Sequence, residues 1–206
     1  MSGIDGQYWN ARTQPSDINE HIETLFLCAK ECESVLELGV RAGVSSWALL
    51  KGLVENGCSK KKLVAVDLEY HPNIAAVQKA GAARGVEYLF IQGNDLEFDA
   101  SERFDMTFID TWHVYGQLKR ELERFAPLTN KYIAMHDTTV DALYGESVRC
   151  GWNIDAQSRQ TGIPAEEIAR GLQPAIDEFL AEHPEWRVKC VRKNNNGLTV
   201  LEKTVV

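Results

Sequence analysis

The sequence predicts an α/β domain: a doubly wound, mostly parallel sheet of seven strands that ends in an antiparallel hairpin. Three observations predict it. Five short apolar runs between residues 34 and 137 alternate with stretches of helical periodicity, the pattern of βα units around a buried parallel sheet. Each of these runs gives way to a glycine or an acid, where the chain turns at the carboxyl end of a strand. Two further apolar runs flank Asn194-Asn195-Asn196-Gly197, a hairpin signal. A length of 206 residues suits one domain. It divides into an N-terminal helical cap (1–33), the βα units (34–137), and a long loop, a helix and the final hairpin (138–206).

The elements follow in order. Asp17, with Glu20 three residues on, predicts an N-cap and capping box. Ile18, Ile22, Leu25, Phe26 and Ala29 then form one helical stripe to about Cys32. Residues 34–39 (SVLELG) read as a buried strand stopped by glycine. Residues 44–55 have helical spacing, and 63–69 (LVAVDLE) form the second strand. Pro72 fixes the start of a helix that Gly85 ends. Strands are expected at 88–92 and 105–110, then an amphipathic helix at 115–128 with Leu118, Leu122 and Phe125 inward. A fifth strand covers 131–137. After it comes a polar stretch, 138–162, too long for a plain connector, then one helix at about 164–182.

Composition narrows the function. The formal charge is −8, from 22 Lys and Arg against 30 Asp and Glu, so no basic face is available for nucleic acid or an anionic membrane. Five cysteines without CxxC spacing give neither a disulfide framework nor a zinc site, which predicts a reducing, cytoplasmic setting. The N-terminal residues lack an apolar signal core, and no run reaches the roughly 20 apolar residues of a membrane span.

In a doubly wound sheet, ligands bind beyond the carboxyl ends of the strands, and the polar residues concentrate there. The first βα turn, Glu37 to Ser45, contains Gly39 and Gly43, which permit a tight turn and close backbone approach to a ligand. Its GxxxG spacing is not the GxGxxG of a dinucleotide fold. Asp67 and Glu69 end the second strand, where an acid accepts hydrogen bonds from ribose hydroxyls or simply sits in solvent. Asn94 and Asp95 follow the third strand and suit an adenine edge, although the same residues make ordinary turns. Asp110 and Asp137 end the fourth and fifth strands. If those strands are neighbours, the two carboxylates approach to roughly 5 Å and repel unless a cation lies between them. They could instead cap the helices that follow. His113 would sit beside the same opening as a group able to take a proton near neutral pH. His136 fits either a metal ligand or a core residue, and His21, His71 and His183 are expected at the surface.

With these residues in place, the chain resembles the class I S-adenosylmethionine-dependent methyltransferases from about Gln7 to Lys203. VLELGVRAGVSSWALL is similar to their first motif, AVDLE to their ribose-binding acid, and the NNNG hairpin to their antiparallel final strands. The run FDMTFIDTWHVYGQLKRELERFAPL followed by YIAMHDT is most similar to the branch of sugar and macrolide O-methyltransferases and cephalosporin-biosynthesis methyltransferase-like proteins.

The resemblance implies a cofactor site for S-adenosylmethionine built from Glu37, Gly39, Gly43, Ser45, Asp67, Glu69, Asn94, Asp95 and Asp110. It implies Mg2+ on Asp110, His136 and Asp137, with His113 and Asp110 as the catalytic pair and His113 as base. The expected acceptor is a hydroxyl of a sugar or glycan, or else of a small phenolic or catechol-like molecule. The chain departs from the branch at His136, where some members carry an acid, and at Trp112, where a small or acidic residue is usual. The 138–162 stretch, with Tyr144, Arg149, Trp152 and Arg159, is the expected acceptor wall. A nicotinamide-dependent dehydrogenase, a metal-dependent hydrolase using Asp110, Asp137 and His136, and a non-catalytic binding protein are the rival readings.

Overall fold

The structure, a computed structural model, describes residues 3–204. Seven strands form one sheet: β1 (Ser34–Leu38), β2 (Lys62–Asp67), β3 (Glu87–Gln92), β4 (Phe104–Ile109), β5 (Thr129–His136), β6 (Trp186–Arg192) and β7 (Leu198–Lys203). Their order is β3-β2-β1-β4-β5-β7-β6. The pairs from β3 to β5 are parallel, while β7 runs antiparallel between β5 and β6. The chain reverses its direction of travel across the sheet at β1 and β4, which are neighbours, and a crevice opens at that switch point. The expected alternation breaks once, because no helix separates β3 from β4.

Nine α-helices among the described residues cover the sheet: α1 (Ile4–Thr13), α2 (Ile22–Lys30), α3 (Val44–Glu55), α4 (Ile74–Ala82), α5 (Tyr115–Phe125), α6 (Glu146–Arg149), α7 (Ile154–Thr161), α8 (Ala165–Ala169) and α9 (Leu172–Glu182). One apolar layer packs α1, α2 and α3 through Tyr8, Leu25, Leu49 and Leu53 against Val35, Met106 and Phe108. On the opposite face, Leu118, Leu122 and Phe125 of α5 join Ile176 and Phe179 of α9 over Leu36, Leu38 and Ile133. The strands of the parallel core are therefore apolar on both faces. No described helix is long and apolar enough to cross a membrane.

Five local expectations are corrected or extended. Helix α1 lies in a stretch too polar to show a stripe, yet Ile4, Tyr8 and Ala11 are buried on one side of it. Asp17 does not cap a helix; its carboxylate accepts a 2.6 Å bond from Arg41, and a 3-10 turn at Asn19–His21 precedes α2. The helix expected at 164–182 is two helices. Gly171 separates them because a Cβ there would lie 2.3 Å from the carbonyl oxygen of Asp141, so only glycine lets the chains approach. The 138–162 stretch folds into α6 and α7, with the Asn153 side chain accepting from the Ala156 N–H as N-cap. His21, expected at the surface, is fully buried, and its Nε2 lies 3.0 Å from the carbonyl oxygens of both Asn194 and Asn195.

Candidate functional site

A cleft of about 670 Å³ opens at the carboxyl ends of β1, β2, β3 and β4. Five of the expected residues line it: Gly39, Asp67, Asn94, Asp95 and Asp110. Gly39 has φ +80°, and a Cβ there would fall 2.0 Å from the Asp110 carbonyl oxygen, so the loop after β1 can pass the end of β4 only without a side chain. Asp67 organises that loop. Its Oδ2 accepts from the backbone N–H groups of Val40 (2.7 Å) and Arg41 (2.8 Å), and its Oδ1 from that of Glu69 (3.0 Å). Oδ2 is thereby fully used, while Oδ1 keeps a further lone pair for a ligand.

Four expected residues stand back from the cleft. Glu37 is fully buried beneath the loop, where its two oxygens accept from the hydroxyls of Ser45 (2.6 Å) and Ser46 (2.7 Å). Burial pushes its carboxyl up to about 7, although the two hydroxyls pull the other way. Ser45 is committed to that pair. Gly43 opens α3 and faces Ile74 and Val77 rather than the cavity. Glu69 is exposed beyond the strand end, and its backbone, not its carboxylate, meets Asp67.

Asp110 reaches the cleft from a cluster of charges packed behind it. Strands β4 and β5 are neighbours, with Ile109 opposite Met135, so Asp110 and Asp137 emerge side by side. Asp137 adopts φ +56°, an uncommon conformation for a side-chain-bearing residue and one that marks functional sites. His113 Nε2 lies 3.3 Å from Asp110 Oδ1 and 3.1 Å from Asp137 Oδ2. His136 Nδ1 lies 3.2 Å and 3.1 Å from the same two oxygens. Behind His113, fully buried Asp141 approaches Nδ1 to 3.5 Å and is held by a two-pronged contact from Arg149 at 2.6 and 2.9 Å.

The titration of this cluster follows from the pairing. Burial opposes the charged forms, but the two imidazoles outweigh it and hold Asp110 well below the usual carboxylate range. Burial likewise opposes charge on the histidines, and the carboxylates reverse its effect: His136 rises to about 10, and His113 is also raised.

Asp110, His113 and Asp137 each offer one ligand atom, all within 4.8 Å of one another. Asp137 Oδ1 is buried without a hydrogen-bond partner. Two carboxylates, an imidazole and an unsatisfied buried oxygen suit a divalent cation. His136, the third ligand that the resemblance implies, lies outside this group but meets the same two carboxylates through Nδ1. The other nitrogen of His136, Nε2, is buried without a partner, and its ring meets His21 edge-on at 5.5 Å.

The remaining wall comes from α6, α7 and the loop after β4. Trp112, Glu146, Trp152, Gln157 and Gln160 line it, with the Trp112 indole N–H donating to Ser147 at 3.2 Å. Arg159 and Tyr144 are exposed and do not line the cleft, and Arg149 is spent on Asp141. Among the residues that escaped the sequence reading are Asp141 behind His113, Gln117, which lines the cleft, and Glu121, fully buried behind it. The helix pattern placed its Lys, Arg and Glu outward, and Glu121 departs from that by sharing the buried face with Gln117, Leu118 and Leu122.

Residues 36–138, half of the chain, match the family model described as a methyltransferase domain. No curated protein sequence matches significantly. Among solved structures, the O-methyltransferase TomG of Streptomyces achromogenes, involved in tomaymycin synthesis and bound to SAM, is 17% identical with TM-score 0.63, covering 100% of this chain and 91% of that one. The Bacillus cereus O-methyltransferase complexed with SAH is 15% identical with TM-score 0.54, covering 98% and 90%. The N-methyltransferase NodS of Bradyrhizobium japonicum, also with SAH, is 14% identical with TM-score 0.52, covering 98% and 99%. Such distant likeness speaks for the fold, which serves both oxygen and nitrogen acceptors in these neighbours. The family match sets aside the dehydrogenase and hydrolase readings: the chain belongs to the methyltransferase-domain family and carries the class I fold of the S-adenosylmethionine-dependent enzymes.

Proposed function

We propose that this protein is an S-adenosylmethionine-dependent O-methyltransferase that methylates a hydroxyl of a sugar or glycan, assisted by a divalent cation, magnesium in the first instance. The observation that supports it best is that Asp110, which lines the cleft together with Gly39, Asp67 and Asp95, meets His113 and Asp137 directly behind it. When bound, the cofactor supplies a methyl group on a positively charged sulfur, so the protein's main work is alignment and removal of a proton.

Gly39 gives the ligand close access to the backbone, Asp67 faces the ribose hydroxyls, and Asn94 and Asp95 border the base. Asp110 and Asp137 would hold the cation, which would lower the pKa of the acceptor hydroxyl. Magnesium prefers oxygen ligands and keeps several waters, which leaves His113 free to serve as base once the two carboxylate charges are compensated.

The cleft also bears on the acceptor. Asp67, Asp95, Glu97, Asp110 and Glu146 line it against one arginine, Arg41, itself paired with Asp17. That balance disfavours phosphate-bearing or otherwise anionic acceptors. Trp112 and Trp152 offer aromatic faces, and Gln157 and Gln160 offer amides, a combination suited to a neutral polyhydroxyl ring. The same two tryptophans support a second reading, a neutral phenolic acceptor.

The test is calorimetric titration of the metal-stripped protein with S-adenosylhomocysteine, with and without magnesium, followed by methyl transfer to panels of sugars and phenols. Binding, a further heat with magnesium and methylated sugar are the expected results. A folded protein that binds no S-adenosylhomocysteine would end this reading.

A further inference from the structure

Glu121 is a buried acid for which the methyl-transfer chemistry has no use. It is fully buried on α5, one turn beyond Gln117. The Thr111 hydroxyl donates to its Oε1 at 2.5 Å, and Gln117 Nε2 donates to the same oxygen at 2.9 Å. The same amide nitrogen lies 3.3 Å from both carboxylate oxygens of Asp95, itself buried. Glu121 Oε2 is buried with no hydrogen-bond partner. Among the described residues, no lysine or arginine is a hydrogen-bonding or ion-pairing partner of either acid. Burial, and next the neighbouring Asp95 charge, push the Glu121 carboxyl well up, and burial also raises Asp95. Two acids sharing one amide in this way are most stable with a single proton between them.

The arrangement has a direction. Asp95, Gln117 and Thr111 line the cleft, while Glu121 stands behind them. Asp95 belongs to the loop after β3 and Thr111 to the loop after β4, so one hidden side chain ties together two walls of the cleft. We propose that Glu121 is a positioning residue for the ligand's base: through Gln117 it fixes Asp95 so that a carboxylate oxygen is presented to the exocyclic amine of adenine. The inference rests on the cofactor reading above. It goes further in assigning the choice of base to a residue that never touches the ligand. Adenine places a donor opposite Asp95, whereas hypoxanthine places a carbonyl oxygen there, which a carboxylate repels.

The experiment compares the affinities of S-adenosylhomocysteine and S-inosylhomocysteine for wild type, Glu121→Gln, Glu121→Leu and Gln117→Met. A hydrogen bond to a charged acceptor predicts a wild-type preference for the adenosyl ligand of about 10-fold to 100-fold. Glu121→Gln, a neutral mimic of the protonated acid, retains that preference. Glu121→Leu reduces it to roughly threefold or less, because an unfixed carboxylate discriminates poorly. Gln117→Met removes the bridge, leaves the Thr111 hydroxyl on the buried acid and gives the same loss, so the test stands even if Glu121→Leu does not fold. A general loosening of the domain would weaken both ligands together and leave their ratio unchanged. An unchanged preference in Glu121→Leu or Gln117→Met, an equal loss in Glu121→Gln, or a wild type indifferent to the base would overturn the inference. A wild type that binds neither ligand would overturn the cofactor reading, and this inference with it.

Discussion

Replacing Glu37 by glutamine gives the sharpest quantitative expectation. The side chain is fully buried on β1 beneath the glycine loop, and its partners are the neutral hydroxyls of Ser45 and Ser46. Burial raises its carboxyl from an ordinary 4.5 to about 7, and the charges of Asp110 and Asp67 add to the effect. The folded state therefore favours the protonated form. The stabilising contribution is complete below 4.5, is lost progressively as the pH rises to about 7, and is absent above that. At about 1.4 kcal/mol per pH unit across this span, the loss is about 3 kcal/mol. Glutamine keeps the shape, accepts from one serine, and donates to the other, whose hydroxyl can rotate to receive the bond. The variant should match wild type near pH 4.5 and exceed its stability by about 3 kcal/mol near pH 8. Urea unfolding followed by circular dichroism across this range measures the difference, and the other titrating groups are common to both proteins and cancel. Parallel stability curves for the two proteins would refute the reasoning.

Gly39→Ala sets a Cβ 2.0 Å from the Asp110 carbonyl at a φ of +80°. It should cost more than about 3 kcal/mol of stability or displace the loop, read as a lowered Tm together with lost S-adenosylhomocysteine binding. His113→Ala and Asp137→Ala should each lower turnover by about 100-fold or more while leaving cofactor affinity within about threefold, which single-turnover kinetics and calorimetry would separate. Trp152→Ala removes a face at the mouth of the cleft. It should raise KM for the acceptor several-fold and leave the cofactor affinity unaltered, as steady-state kinetics with each substrate varied would show.

Much of the fold could be read from the sequence because a doubly wound sheet writes itself in apolar runs. SVLEL, KLVAVD and FDMTFI carry their burial on both faces, and the acids at their ends fall where the topology requires. Segments held by tertiary contacts were harder to read. The sequence around α1 is polar overall, and its three buried residues make sense only with α3 beneath them. The break at Gly171 is imposed by the backbone of residues 141 and 142, about 30 residues away in the chain. The same limit applies at the site. Gly39, Asp67, Asp95, Asp110 and Asp137 were visible because each ends a strand or opens a loop. Glu37 and Ser45 lie in the same motif, but whether they face the ligand or each other is settled by burial, which no local pattern records. Glu121 was hidden for the opposite reason, since a charged residue within a helix ordinarily points to water.

The tip of the β6–β7 turn has a consequence for how the protein comes into being. The Asn196 carbonyl accepts from the backbone of Thr139 and Val140, just after Asp137, while Asn194 and Asn195 grip Ser16, Glu20 and His21. Residues 16–21 and the segment just after Asp137 thus converge on a few asparagines that follow every parallel strand in the chain. A ribosome that has finished the strands bearing Asp67, Asp110 and Asp137 has still not made the clasp that braces them. Nascent chains that stall before residue 194 should hold most of the sheet's parallel core with a slack, inactive cleft, so that catalytic competence waits for this turn.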